Sequence, residues 1–249
     1  MVKNTVHTAQ AISAIVNFID SDDITPHLDR LRRALPNDAK IYIAGGALRN
    51  VIMTLVHGQA PPTRDVDLFI GAIAKDFPLA ERLSAAALEH TELGGLRWRP
   101  KSSAYVFDIC LLPHFHILAK FCLAPTLKNF LAAIDFTVNA VVFDVGTHSL
   151  FERGCRAAIV ERMIDFNTTY MISKTMLAYR IVLIRHKTGF RLARPTFTFL
   201  KHQIDFEGLN ALRTLFEAKQ GKTMAATLMA DYDRICAFSR YTDYIAQHH

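Results

Sequence analysis

The sequence lacks any long apolar segment, although 51% of its 249 residues are hydrophobic. Runs such as residues 130–134 stop far short of the roughly 18 apolar residues that a membrane-spanning helix needs. The N-terminus, MVKNTVHTAQ, also lacks the charged-then-apolar pattern of a secretory signal. These absences argue against a membrane protein and a secreted protein, and they predict a globular protein of the cytoplasm.

Cysteine is scarce, and the four positions are Cys110, Cys122, Cys155 and Cys236. They form no CxxC pair, and without a secretion signal we expect free buried thiols and no disulfides. Internal repeats and low-complexity linkers are also missing. The net charge of +6 is compatible with RNA or another polyanion as a partner, but it is not specific for one.

Hydrophobic periodicity predicts an α/β region followed by helices. The predicted strands cover residues 40–44, 65–70, 104–111 and 136–143, with a short candidate at Trp98. The predicted helices cover residues 8–19, a segment from Pro26, and residues 47–56, 79–90, 127–133 and 171–188. After about Arg153 the pattern is nearly all helical. We therefore predict a catalytic-type domain over residues 1–152 and a helical domain over residues 153–249.

Two carboxylates, Asp65 and Asp67, open one predicted strand. Side chains at positions i and i+2 of a strand point to the same face, so both carboxylates can reach one hard cation. Mg²⁺ takes oxygen ligands of this kind and keeps positions for phosphate oxygens. A solvated strand end is the alternative, because a DxD pair alone is a weak signal.

The Gly45-Gly46 pair, between a predicted strand and a predicted helix, strengthens the interpretation of a metal–nucleotide site. Glycine lets the backbone approach a ligand closely, and the amides at a helix N-terminus bind phosphate. A simple strand-to-helix turn is the alternative. The combination of Gly-Gly with a DxD pair about twenty residues later is more specific than either part.

Asp108 is the candidate for a third carboxylate. It lies in an otherwise apolar strand candidate, Tyr105-Val-Phe-Asp-Ile109, where a charge is costly unless it is paired or bound to metal. With Asp65 and Asp67 it would complete a site for two metal ions. A salt bridge from Asp108 to an arginine, or a strand face open to water, remains an alternative.

Three segments resemble the head domain shared by CCA-adding tRNA nucleotidyltransferases and bacterial poly(A) polymerases, which belongs to the DNA polymerase β-like nucleotidyltransferase superfamily. They are Ile43-Ala-Gly-Gly-Ala-Leu-Arg-Asn50 with Arg64-Asp-Val-Asp-Leu-Phe69, then Ile134-Asp-Phe-Thr-Val-Asn-Ala140, and more weakly Arg180 through Gly189-Phe190. They follow the family's order over about residues 40–190. The resemblance implies an α/β (α+β) head with a mixed sheet, followed by a helical neck-like extension.

The resemblance also implies site roles. Asp65 and Asp67 would ligate Mg²⁺ or Mn²⁺, and Gly45 and Gly46 would hold the triphosphate of an NTP. Arg49 would brace the loop or face phosphate. The other candidates for nucleotide binding are Arg64, Asp135, Asn139 and Arg180. For the last three, a turn cap, a strand-end contact and a surface charge are the respective alternatives.

The sequence departs from the family pattern at nucleotide-contacting positions. Asn50 stands where Asp is usual, and Ala133 and Ile134 stand where the family has paired arginines. The helix that reads the base in CCA-adding enzymes carries Ser173, Lys174, Leu177 and Leu183 at its template positions. Full body and tail domains also do not fit after the neck motif. We therefore expect a shortened relative and not a true CCA-adding enzyme.

Our prediction is a metal-dependent nucleotidyltransferase that transfers NMP from an NTP to a hydroxyl acceptor. RNA is the favoured acceptor, because the resembled family acts on RNA 3′ ends; a protein hydroxyl or a small molecule is the alternative. No membrane partner is expected, and no protein partner is indicated. The second hypothesis is a non-catalytic nucleotide- or RNA-binding regulatory protein on the same scaffold. An unrelated α/β protein would place Asp65, Asp67 and Asp108 far apart.

Overall fold

The structure is a computed structural model that describes residues 7–91, 94–170 and 173–247. Its backbone divides into two compact units. The first runs to Ile134 and resumes over Val138–Val160, and the second comprises Asp135–Thr137 and the chain from Glu161 onward. The sequence pattern does not predict that Asp135–Thr137 belongs to the second unit. The predicted domain boundary at 152/153 stays a prediction.

The first unit is a mixed sheet with helices. Its strands are β1 (Lys40–Ala44), β2 (Asp65–Gly71), β3 (Leu88–His90), β4 (Leu96–Trp98), β5 (Val106–Leu111), β6 (Val141–Asp144) and β7 (Ser149–Glu152). Its helices are α1 (Thr8–Ile19), α2 (Thr25–Ala34), α3 (Gly46–His57), α4 (Leu79–Leu83), α5 (His116–Lys120), α6 (Leu127–Ala133) and α7 (Cys155–Glu161). The strand order is β3-β4-β5-β2-β1-β6-β7, and β2 and β5 run parallel whereas the other neighbours are antiparallel.

The two faces of β2 and β5 differ in burial. On β2, Val66 and Leu68 are buried and Asp65 is exposed, in the alternation that a strand with one covered face requires. Helix α3 packs against β2. From α2, the ring of His27 contacts the rings of Trp98 and Phe107 at centroid distances of 5.2 and 5.3 Å. The buried face of β2 and β5 therefore packs into the core, whereas the other face of these two strands carries the aspartates and is called the polar face.

The polar face is exposed at the start of β2, where Asp65 lies. Farther along the same face, the ring of Phe69 contacts Phe130 of α6 at 4.2 Å and Phe115 at 5.6 Å between centroids. Phe115 directly precedes α5, after a short 3-10 helix over Leu112–His114. This aromatic cluster covers the sheet beyond the acidic residues.

The second unit is helical apart from two short paired strands. Its elements are β8 (Met163–Ile164), α8 (Lys174–Thr188), β9 (Arg191–Leu192), α9 (Arg194–His202), α10 (Phe206–Gln220), α11 (Lys222–Ala237) and α12 (Tyr241–Ala246). Helix α8 packs on α10 and α11, with Tyr179 against Phe216 at 5.2 Å between ring centroids. Ser173 caps α8 by accepting a hydrogen bond from the Met176 amide.

The predicted fold class, a mixed α/β region followed by helices, is confirmed. The helix predicted over residues 79–90 is wrong: α4 ends at Leu83 because Ser84 adopts a left-handed conformation with φ 42°, and Leu88–His90 forms β3. The strand predicted over residues 136–143 is wrong in its first half, where Thr137–Asn139 is a 3-10 helix. Met171, the predicted start of the long helix, lies outside the described residues.

Among the described residues, no helix combines the length and the apolar character that crossing a bilayer requires. The cytoplasmic location stays a prediction.

Candidate active site

A row of charged residues crosses three neighbouring strands on the polar face of the sheet. Asp67 on β2 is the register partner of Asp108 on β5, and Asp108 is the register partner of Arg97 on β4. Directly opposed residues share a face, and neighbouring strands lie about 4.8 Å apart. Asp65 precedes Asp67 by two residues and faces the same way. We call Asp65, Asp67, Asp108 and Arg97 the acid face.

The acid face brings together the three carboxylates that the sequence singled out. This placement differs from what an unrelated α/β fold would give, in which the three would lie far apart. The metal-binding and catalytic roles of the three residues nevertheless stay predictions.

Asp108 is held by an arginine. Arg97 donates from Nε to Asp108 Oδ1 at 2.7 Å and from Nη2 to Oδ2 at 2.6 Å. The side chains of Arg97 and Asp108 are 37% and 25% exposed. The hydrogen bond to Asp108 raises the pKa of Arg97 above its usual value despite partial burial, and the charge of Asp65 adds to this. Asp108 therefore adopts the salt-bridged state that the sequence left open as an alternative to metal binding.

Gly45 brings the start of α3 against Asp67. It has φ 73° and ψ −135° as the residue before the helix, a backbone conformation that favours glycine. A Cβ on Gly45 would lie 3.0 Å from Asp67 Oδ2. In the described part of the chain, no side chain caps α3. The first amides of the helix therefore begin beside the acid face without a side-chain acceptor at the cap.

Arg49 is buried beside the Gly45-Gly46 turn. It is 7% exposed, and it donates from Nε to Asn50 Oδ1 at 3.1 Å and from Nη1 to Asn139 Oδ1 at 2.7 Å. Asn50 in turn donates from Nδ2 to the Pro61 carbonyl at 2.7 Å. Asn50 can make this donation because its side-chain amide carries N–H donors, which an ionised aspartate lacks. Which of the two expected roles Arg49 serves, bracing the loop or facing phosphate, stays a prediction.

Arg64 is exposed. Arg64 directly precedes Asp65, and its carbonyl accepts a hydrogen bond from the Val106 amide at 2.6 Å, which joins the starts of β2 and β5. The backbone of Arg64 thus helps to set the register of the acid face. Its predicted contact with nucleotide stays a prediction.

Asp135 and Arg180 lie in the second unit, where they pair with each other. Arg180 donates from Nε to Asp135 Oδ2, and Asp135 Oδ1 accepts from the Phe136 amide at 2.9 Å. The side chain of Asp135 is 11% exposed and that of Arg180 is 46% exposed. Their proposed roles in nucleotide binding, like that of Asn139, stay predictions.

The donor set fits a cation held by two carboxylates and does not fit a site of three. Within the described ranges, no group of three or more His, Cys, Asp or Glu side chains is placed to hold one metal ion. Asp65 and Asp67 present carboxylates on one face, and Mg²⁺ is commonly bound by one or two carboxylates plus substrate phosphates. Both oxygens of Asp108 accept hydrogen bonds from Arg97, and its role as a metal ligand stays a prediction.

Comparison with solved structures identifies the fold. A CCA-adding enzyme in complex with ATP matches with a TM-score of 0.63 and 18% identity, over 89% of this chain and 54% of that one. The Thermotoga maritima CCA-adding enzyme complexed with tRNA matches with a TM-score of 0.61 and 19% identity, over 89% and 53%. The chain has the fold of the CCA-adding enzymes. This finding confirms the predicted resemblance at the level of the fold.

A tRNA-processing enzyme in an apo form shares this fold, with a TM-score of 0.57 and 17% identity over 85% of this chain and 56% of that one. The chain spans about half the length of the CCA-adding enzymes it matches. The seven-stranded mixed sheet and the following helices of the described residues resemble the head and neck of those enzymes. No family model and no curated protein matches the sequence.

Proposed function

We propose that the chain is a metal-dependent nucleotidyltransferase that transfers NMP from an NTP to a hydroxyl acceptor. The observation that carries this proposal is the approach of the Gly45 turn to Asp67, with Asp65 on the same face. The turn offers helix N-terminal amides for phosphate, and the two carboxylates offer ligands for Mg²⁺ or Mn²⁺. The nucleotidyltransferase-like fold supports the same assignment.

Each group of residues has a separate proposed role in the transfer. Asp65 and Asp67 would hold the metal ion, which supplies Lewis-acid stabilisation of the charge that develops on the phosphates. The backbone at Gly46 would orient the triphosphate, and Arg49 would keep that backbone in place through its asparagine partners. The exposed Arg64 would neutralise phosphate charge. The acceptor hydroxyl would lose its proton to solvent as its oxygen bonds to the α-phosphorus, and the α–β phosphoanhydride bond would break to release pyrophosphate.

RNA is the acceptor that we propose. The basic net charge of +6 favours a polyanion, and one solved structure with this fold is a CCA-adding enzyme complexed with tRNA. We do not propose CCA addition. Ala133 and Ile134 replace the paired arginines, and the template positions on α8 carry Ser173, Lys174 and Leu177.

A second candidate function is nucleotide or RNA binding without turnover. The Arg97–Asp108 ion pair favours it, because the pair occupies the third carboxylate that a two-metal centre would use. On this alternative, Asp65 and Asp67 would bind the Mg²⁺–NTP complex, and no label would move to any acceptor.

The experiment that tests the proposal is a label-transfer assay. The purified protein is incubated with Mg²⁺, each α-³²P-labelled NTP in turn, and total RNA or total protein from a bacterial lysate. We expect label in the RNA fraction with the wild type and none with Asp65→Ala/Asp67→Ala. The matched control is Asp38→Ala/Asp76→Ala, which removes two exposed carboxylates outside the acid face and should transfer normally.

Three other outcomes are informative. Label in the protein fraction would replace RNA by a protein hydroxyl as the acceptor. Retained binding of Mg²⁺–NTP with no transfer would contradict catalysis and support the second candidate. If the wild type showed neither label transfer nor binding of Mg²⁺–NTP, both proposed functions would be contradicted.

A further inference from the structure

We propose that Arg97 takes the place of a second metal ion on the acid face, so that the protein binds one divalent cation with each nucleotide. The inference rests on the proposed function. It concerns the number of ions and the residue that replaces one of them, which the fold does not specify.

The first step of the argument is the geometry of the ion pair. Both oxygens of Asp108 accept from Arg97, at 2.7 and 2.6 Å, in a two-pronged arrangement in which the planar guanidinium matches a carboxylate. The pairing of β4 with β5 places the two residues directly opposite each other. The pairing of the two strands therefore places Arg97 where its guanidinium can pair with Asp108.

The second step is the charge of the acid face. Its three carboxylates and one guanidinium leave a formal charge of −2, which a single divalent ion neutralises. Asp65 also acts electrostatically on Arg97, so the guanidinium lies within the field of the metal-binding pair and not only beside Asp108. Because arginine stays protonated in proteins, a second dication would meet a permanent positive charge at this position.

The third step is ligand supply. Mg²⁺ requires near-ideal octahedral oxygen geometry and gives up its waters reluctantly. A second ion would have to share Asp108 with a guanidinium that makes two charge-assisted hydrogen bonds to it, close to the positive charge of that guanidinium. Asp65 and Asp67 would already serve the first ion. The acid face thus offers a second ion no carboxylate without a competing cation.

The guanidinium of Arg97 also has N–H donors that the pair with Asp108 does not use. Arginine carries five N–H donors, and the pair with Asp108 engages two nitrogens. A cation with remaining donors in this position can hydrogen-bond a phosphate oxygen and stabilise charge there. Arg97 would therefore supply electrostatic stabilisation that a second metal ion supplies in a two-metal centre.

The test counts bound Mn²⁺ and does not depend on turnover. The protein is titrated with Mn²⁺ in the presence of one equivalent of an NTP analogue with a non-hydrolysable α–β bridge, and free Mn²⁺ is measured by electron paramagnetic resonance. We expect one tightly bound ion per chain in the wild type and two in Arg97→Gln, where Asp108 is released. Arg99→Gln is the matched control, since Arg99 pairs with Glu89 and should leave the count at one.

Two bound ions in the wild type would overturn the proposal, as would a count of one in a folded Arg97→Gln protein or a count of zero in the wild type. If Arg97→Gln does not fold, the bound Mn²⁺ is counted in Asp108→Asn instead. It should keep one ion if Asp108 is not a ligand, and loss of that ion would overturn the proposal. One ion without label transfer would contradict catalysis alone, whereas label transfer with two ions would contradict the role of Arg97 alone.

Discussion

Replacing Gly45 by alanine should damage the proposed nucleotide site more than it damages the fold. Gly45 has φ 73° and ψ −135°, and enforcing such a conformation on an L-residue costs about 1–3 kcal/mol. The new Cβ would also lie 3.0 Å from Asp67 Oδ2, so the carboxylate must shift by a few tenths of an ångström. We therefore expect two separable effects, one on stability and one on metal–nucleotide binding.

Gly58 provides the matched control at the other end of α3. Its φ of 74° is almost the same, but no atom of the described residues lies within 4 Å of the position that a Cβ would take there. Gly58→Ala should lower the free energy of unfolding by about 1 kcal/mol through backbone strain alone. It should leave the binding of Mn²⁺ and nucleotide unchanged, because nothing in the acid face moves.

Two assays separate the effects. Urea unfolding gives the stability of each variant, and titration of Mn²⁺ with an NTP analogue gives the affinity. We expect Gly45→Ala to weaken binding on the order of tenfold, which corresponds to about 1.4 kcal/mol. Wild-type affinity in Gly45→Ala would refute the reasoning, and so would an equal loss of affinity in Gly58→Ala.

Three further predictions concern stability. Arg49→Ala should lower the free energy of unfolding, measured in urea, by about 2 kcal/mol because it removes two buried hydrogen bonds to asparagine side chains, whereas the exposed Arg64→Ala should change it by less than about 0.5 kcal/mol. Burial, and then the charge of Arg30, lower the pKa of His27. Because the folded state then binds fewer protons, stability should fall as the pH drops below about 6.5, and His27→Gln should flatten this dependence in thermal melts. Ser173→Ala should cost about 1 kcal/mol by removing the cap of α8, and an unchanged melting curve would contradict that role.

The sequence predicts the elements that depend on local pattern. The shared direction of Asp65 and Asp67 follows from the two-residue period of a strand, and the turn at Gly45 follows from a glycine pair between a strand and a helix. The helix over Leu127–Ala133 is observed as predicted. Each of these features is decided by neighbouring residues.

The features that the sequence did not reveal depend on pairing between distant segments. Arg97 was not recognised, because its bond to Asp108 requires the register between β4 and β5. The local signal for Arg97 is a charged residue between two apolar residues in Leu96-Arg-Trp98, the pattern of a strand with one polar face. Helix 79–90 was wrongly predicted because the segment's apolar spacing also suits a helix, whereas Ser84 ends the helix and Leu88 pairs with Trp98.

The side-chain partners of the other candidate residues show the same limit. Arg49 and Asn139 are separated by 90 residues and Asp135 and Arg180 by 45, so no periodicity links them. The resemblance described in the sequence analysis assigns these four residues to one predicted nucleotide site. The contacts within each pair, which decide what each side chain does, required the tertiary structure.

The most direct measurement of the central claim compares two positions of label in the same nucleotide. The wild-type protein is incubated with Mg²⁺, RNA, and an NTP that carries ³²P at either the α- or the γ-phosphate. Nucleotidyl transfer predicts that the α-label becomes attached to RNA and that the γ-label is released as pyrophosphate. Attachment of the γ-label, or of neither label, would contradict the account.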